Sequence, residues 1–429
     1  MNKKILALAL PSILSNISNP LVSSVDTALM GHLDSLNLAA LGAMSMVFMV
    51  IYGTFNFLRS GTTGISAQAF GARDKDLISY TLYRALLLAL ILGLILIIFK
   101  EYIFNLSAYL MNVDNSYLNA AKRYFDIRIY TAPAVLLSYV ILGWYFGVQN
   151  AIYPLIITII LNLLNIILSY YFVFIKNMDI EGVALGTLIA QYLSLLIAFL
   201  MLLKYKGYFK SFDIKKVFKK EQILHLFKIN NDIFIRTLAL TFAFAFLYSQ
   251  AAKVGGDKLA IMVLLLQFII WFAYSLDGFA NAAESLVGKY YGAKDWENFY
   301  KAIKYSLLWS FGLSIIYALI YYFLGEDILK LFTSQEDLLK NTLNFMPYIV
   351  IMPLISFLAF IWDGVYIGMT ATKAMRNSVL LSLLLYIGGF YLSKDYNFLY
   401  ALWINFLLFL LYRGVIQSIL FYIYGKNLK

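Results

Sequence analysis

The chain of 429 residues has no cysteine and only two histidines, His32 and His225, and charged residues make up 13% of it. Without cysteine there is no disulfide, no thiolate metal site and no cysteine nucleophile. The missing disulfides do not fix a compartment, because a membrane chain needs no such staple. The two histidines sit at the edges of apolar runs and form no metal-ligand pair, and no nucleophile elbow or nucleotide-binding glycine loop occurs. Ser60-Gly61-Thr62-Thr63-Gly64 is too poor in glycine to cradle phosphate and reads as close helix packing. A membrane enzyme is thus the least supported class. Charge is also too sparse for a water-facing surface, which carries about 25% charged residues.

What the chain has instead is apolar length. It is 62% hydrophobic, with a mean hydropathy of +0.78. Apolar segments long enough to cross a hydrocarbon core of about 30 Å recur from 5–31 to 397–424, several needing tilt. They predict an all-α membrane protein of twelve transmembrane helices, six per half. The first segment carries Lys3 and Lys4 but runs past any short apolar core and has no clear cleavage site, so it reads as a retained first helix. Hydrophobicity falls and lysines gather between the halves. This predicts an N-lobe over 1–204, a cytoplasmic linker over 205–224 and a C-lobe over 225–429.

The halves look like copies. Leu38-Ala39 to Gly71-Ala72-Arg73-Asp74 aligns without gaps with Leu259-Ala260 to Gly292-Ala293-Lys294-Asp295, a spacing of 221 residues. At the same spacing Gly143, Tyr145 and Gly147 fall on Gly364, Tyr366 and Gly368. Six spans per half give both copies one orientation, so the repeat is parallel. Duplicated halves of this kind are common in secondary transporters, which expose a central site to each side in turn.

The net charge of +11 is distributed as an orientation signal. With both termini inside, the inner loops hold Arg73, Lys75, Lys289, Lys294, Lys373, Arg376, Lys426 and Lys429, and the linker adds seven lysines from Lys204 to Lys220. Outer loops hold acidic or mixed sets such as Asp34, Asp179 with Glu181, and Glu326 with Asp327. This is the positive-inside pattern of a multi-pass protein of the cell inner membrane. Lys122, Arg123 and Arg128 fall on the wrong side. The linker lysines read as lipid-headgroup contacts, and nothing points to nucleic acid.

Ionisable residues inside spans cost about 3 kcal/mol each at mid-bilayer and therefore mark function or pairing. The first half offers Asp26 and Arg59, the second Asp277, Glu284 and Asp363. Asp26 precedes the Gly31-His32 break by five residues, or roughly 7–8 Å, which places it at outer-leaflet depth. Pro11 and Pro20 interrupt the same helix and predict a bend. In the fifth span Asn165 and Ser169 are four residues apart and share a face, with Asn162 nearby; Thr187 follows in the small-residue start of the sixth. At the 221-residue spacing Asp26, Asn165 and Ser169 fall on Leu247, Tyr386 and Phe390, so the candidate ion site belongs to the first half alone.

Pro11, Asp26, Phe57-Leu58-Arg59-Ser60-Gly61-Thr62-Thr63-Gly64, Ala67-Gln68-Ala69-Phe70-Gly71, Asn231-Asp232-Ile233-Phe234-Ile235-Arg236, Ala283-Glu284-Ser285 and Asp363-Gly364-Val365-Tyr366-Ile367-Gly368 occur in order across the chain. In that order they resemble the multidrug and toxic compound extrusion (MATE) family, in its DinF-like branch. The resemblance implies a monomeric antiporter without cofactor that expels amphipathic, often cationic compounds in exchange for H+ or Na+. It implies ion coupling at Asp26, Asn165, Ser169 and Thr187, with Asp26, Asn165 and Thr187 as candidate Na+ ligands. Ser169 stands where the family has a second carboxylate, so any sodium site carries one charge fewer. Arg59, Glu284 and Asp363 are candidates for a substrate or second-lobe site. The rival reading is a flippase for lipids or lipid-linked substrates, which needs several cations for phosphate; Arg59 stands nearly alone in that role.

Overall fold

The computed structural model of the chain describes residues 1–31, 35–209 and 213–425, without the side chains of 19–24, 30, 31, 424 and 425. Asp34, Lys210, Lys426, Lys429 and the Pro20 side chain lie outside the described residues. Twelve helical segments carry the fold: α1 (Asn2–Gly31), α2 (Ser35–Gly71), α3 (Lys75–Ile98), α4 (Leu118–Gly147), α5 (Ile152–Ile175) and α6 (Ile180–Tyr208) in the first half. The second half holds α7 (Lys220–Val254), α8 (Gly256–Gly292), α9 (Trp296–Phe332), α10 (Met346–Gly368), α11 (Thr372–Ser393) and α12 (Phe398–Ile423). The eleven from α2 onward are long and apolar enough to cross a membrane. With the 30-residue α1 they make the expected twelve. No strand occurs among the described residues.

Large apolar side chains such as Ile98, Leu331 and Leu392 stand exposed on these helices, while Trp144, Tyr145, Tyr366, Tyr386 and Trp403 are fully buried. Lipid, not water, is the solvent that such a surface suits.

The repeat is written into the local geometry. Arg73 and Lys294, equivalent in the two copies, both take the left-handed conformation, at φ 56° and 55°. Each is followed by an aspartate that starts the next helix. Asp74 Oδ1 accepts from the Leu77 amide at 2.9 Å, and Asp295 Oδ1 from the Asn298 amide at 3.1 Å. Helix pairing follows the same plan: α2 packs on α4, α3 on α4 and α5 on α6, as α8 packs on α10, α9 on α10 and α11 on α12.

Glycines set the closest approaches. A Cβ on Gly143 would lie 2.3 Å from the Arg59 carbonyl oxygen, and one on Gly364 would lie 2.3 Å from that of Ala280, the residue equivalent to Arg59. Backbones meet there with no room for a side chain. Tyr145 then donates to the Ala198 carbonyl at 2.9 Å, and Tyr366 to that of Gln417 at 2.8 Å, so each copy ties its central helix to its last.

Two compact units result, one of residues 14–227 and one of 1–13 with 228–429. The first turns of α1 belong with the second unit. There Lys4 Nζ donates to the Tyr290 hydroxyl at 3.0 Å and Asn281 Nδ2 to Ser12 Oγ at 2.7 Å. The α1 backbone is helical throughout, through Pro11 and Pro20.

Candidate ion-coupling site

In the unit of residues 14–227, α5 and α6 pack along their lengths and place Asn165 against Thr187. Asn165 Nδ2 donates to Thr187 Oγ1 at 2.8 Å, and Thr187 Oγ1 donates to the Val183 carbonyl at 2.9 Å. One turn on, Ser169 is fully buried against Gly186: a Cβ there would fall 2.7 Å from the Ser169 nitrogen. The Ser169 hydroxyl lies beside the Asp26 carboxyl. Asp26, Ser169, Asn165 and Thr187 thus form one chain of polar side chains across α1, α5 and α6.

Its hydrogen bonding is incomplete. Asp26 Oδ1 and Asn165 Oδ1 are buried without a hydrogen-bond partner. Buried polar groups are nearly always satisfied, so the open oxygens of Asp26 and Asn165 set this cluster apart from the packing around it. Neighbouring backbone is irregular: α5 ends in a π turn over Tyr171–Ile175, directly after the Ser169 turn. Such turns are frequent at functional sites.

A fifth residue joins the cluster from α4. Arg128 is close enough to Asp26 for the two charges to interact, yet the two form no direct ion pair among the described residues. Its Nη1 donates to Thr131 Oγ1 at 2.6 Å, its plane lies over Phe48 and Tyr52 at 5.3 and 5.7 Å, and its Nε is buried without an acceptor. A 3-10 turn over Ile129–Thr131 follows it directly. The sequence reading placed Arg128 among charges on the wrong side of the membrane. The usable signal was its position inside an apolar span.

The remaining candidates lie elsewhere. Arg59 donates through Nε to Asn56 Oδ1 at 3.1 Å and stands over the Phe146 ring at 5.9 Å. Glu284 is buried in α8, where its carbonyl fills the space above Gly368. Asp363 is the centre of a second buried cluster: Oδ2 accepts from Arg236 of α7 and from Arg413 Nη2 of α12 at 2.7 Å, and Oδ1 from Gln417 Nε2 at 2.7 Å. Asp277 of α8 is also within electrostatic reach of Arg413. Arg59 is therefore not alone inside the spans, since Arg84, Arg128, Arg236 and Arg413 are embedded too. Arg413 went unnoticed as one cation in the last apolar run.

The MatE family profile matches residues 11–171 and 233–392, once in each half. The chain belongs to the MatE family. It is 35% identical over 425 residues to the DNA damage-inducible protein F of Escherichia coli (strain K12), covering 96% of this chain and 90% of that protein. It is 24% identical over 349 residues to a probable multidrug resistance protein NorM of Thermotoga maritima, covering 79% and 74%. Among solved structures, a MATE crystal structure in the bent conformation superposes with a TM-score of 0.91 at 20% identity, covering 100% of this chain and 96% of that one. The MatE chain is a multi-pass membrane transporter of the multidrug and toxic compound efflux type, not an enzyme, and its twelve helices carry the expected internal repeat.

Proposed function

We propose that this transporter expels amphipathic, often cationic organic compounds by alternating access, in exchange for protons entering through Asp26. One observation carries the choice of ion: the candidate site holds a single carboxylate within electrostatic reach of a guanidinium. Sodium needs several oxygens and a net negative charge. Asp26, Asn165, Ser169 and Thr187 supply the oxygens, but Arg128 cancels the one negative charge and the second acid is absent. A proton needs only a carboxylate whose surroundings change. Ionised Asp26 is then balanced by Arg128; protonated Asp26 releases Arg128 to its ring faces and Thr131. The positive-inside pattern supports a placement of both termini in the cytoplasm, and we take the chain as a monomer in the inner membrane.

The test is dye efflux from vesicles with pH and sodium gradients imposed separately. A pH gradient should drive native efflux, a sodium gradient should not, and Asp26→Asn should abolish the driven component at unchanged expression. Full efflux by Asp26→Asn, or drive by sodium alone, rejects the assignment. The flippase reading gains from the five embedded arginines, although Asp363 already neutralises part of the charge on Arg236 and Arg413. Lipid scrambling in the same vesicles would favour it.

A further inference from the structure

The segment between the halves is fastened to the first turns of α3. Ser79 Oγ donates to the Tyr208 carbonyl at 3.3 Å, Lys216 Nζ pairs with Asp76 Oδ2 at 3.2 Å, and Arg84 reaches furthest along the helix. Arg84 Nε donates to the Val217 carbonyl at 2.9 Å and Nη2 to that of Lys216 at 2.6 Å. Those carbonyls end the one-turn helix Ile214–Val217, where no helical donor is available to them. Arg84 therefore acts as a side-chain cap that docks the segment.

Capping explains the hydrogen bonds but not the charge. Arg84 is 8% exposed, and among the described residues no carboxylate pairs with it. Two carbonyl dipoles and the face of the Tyr80 ring, 5.8 Å from the guanidinium, ease the charge without supplying a counter-ion, and a buried charge lacking one is unfavourable. Directly beside it opens a groove of about 120 Å³, walled by Leu87, Leu88 and Ile91 of α3 and by Phe218, Ile223 and Phe227 of the linker side. The same stretch exposes Lys215, Lys216, Lys219 and Lys220. Asp76 answers Lys216 and Glu221 answers Lys219, leaving Lys215 and Lys220 without a carboxylate among the described residues.

We propose that this groove holds an anionic phospholipid, its acyl chain along Leu87, Leu88, Ile91 and Phe227 and its phosphate facing Arg84, with Lys215 and Lys220 at the rim. The charge selects the lipid class: a zwitterionic headgroup brings its own cation and leaves Arg84 uncompensated. The occupied groove fixes the interlobe segment to α3, and it does so whichever ion drives transport.

The experiment uses the delipidated full-length protein in detergent, titrated with dioctanoyl phosphatidylglycerol, dioctanoyl phosphatidylcholine and inorganic phosphate, and read by native mass spectrometry and thermal shift. One phosphatidylglycerol should bind per chain and raise the unfolding temperature, with phosphatidylcholine weaker by about five- to thirtyfold, the weight of a cation or two at an anionic headgroup. Arg84→Gln keeps a donor for the linker carbonyls but removes the charge, and should erase the preference between the two lipids. Leu88→Trp fills the groove while keeping Arg84, and should block binding. Lys294→Gln, in the other unit, should change nothing. Equal binding of both lipids by the native chain overturns the proposal, as does native-like binding by Leu88→Trp. Phosphate binding as tightly as phosphatidylglycerol would remove the acyl groove from it. If Arg84→Gln misfolds, the native lipid ratio and Leu88→Trp still decide.

Discussion

Replacing Asp363 by asparagine tests whether the second-lobe acid is a ligand or a lock. Its two oxygens accept from three donors on two other helices, Arg236 of α7 and Arg413 and Gln417 of α12. Arg413 is 3% exposed, so water cannot replace the lost charge. Removing one partner of a buried pair costs about 3–5 kcal/mol, because the other charge is left uncompensated. Here two guanidinium groups would face an amide, and Asp277 remains within electrostatic reach of Arg413. That residual acid favours the lower end, about 3 kcal/mol. Adding Arg413→Gln should recover part of the loss, with a coupling of about 0.5–3 kcal/mol in the double-variant cycle. Denaturation by sodium dodecyl sulfate in mixed micelles measures both. If Asp363→Asn unfolds at the native midpoint yet loses drug or cation binding, Asp363 is a ligand and the lock is wrong.

Two further outcomes follow from the same geometry. Gly143→Ala and Gly364→Ala each drive a methyl to 2.3 Å from a carbonyl oxygen, and each should lower stability by about 1–3 kcal/mol, whereas Gly42→Ala, with nothing within 4 Å, should be neutral or slightly stabilising in the same unfolding assay. Ser169→Asp returns a second carboxylate beside Asp26 and should confer sodium-driven efflux on the vesicle assay; an unchanged ion preference would show that Arg128, not the missing acid, decides it.

Much of this was legible because duplication and periodicity are local. Long apolar segments predicted the twelve helices and the 221-residue spacing their duplication, and the matching left-handed residues Arg73 and Lys294 lie inside the aligned block. Asn165 and Ser169 share a helix face by spacing alone. What stayed hidden depends on long-range pairing. Asp363 meets Arg413 across 50 residues and Arg236 across 127, distances over which no pattern of period 3.6 carries information. Arg128 was misread for a related reason. Its contacts with Phe48 and Tyr52 of another helix are long-range, and a hydropathy window sees only an early charge in a span.

The two lobes have kept the same backbone contacts while their acids have diverged. Gly143 on Arg59 and Gly364 on Ala280 are the same joint, with the same 2.3 Å approach. Around it, Asp363 has both oxygens occupied by donors, and Asp26 has one oxygen without any. A carboxylate saturated by two guanidinium groups can take up a proton only by breaking that network, whereas one with an open acceptor can do so by shifting a single neighbour. That difference in cost, rather than the presence of acid as such, is the reason we propose ion exchange in the first lobe and a helix-holding role for Asp363 in the second.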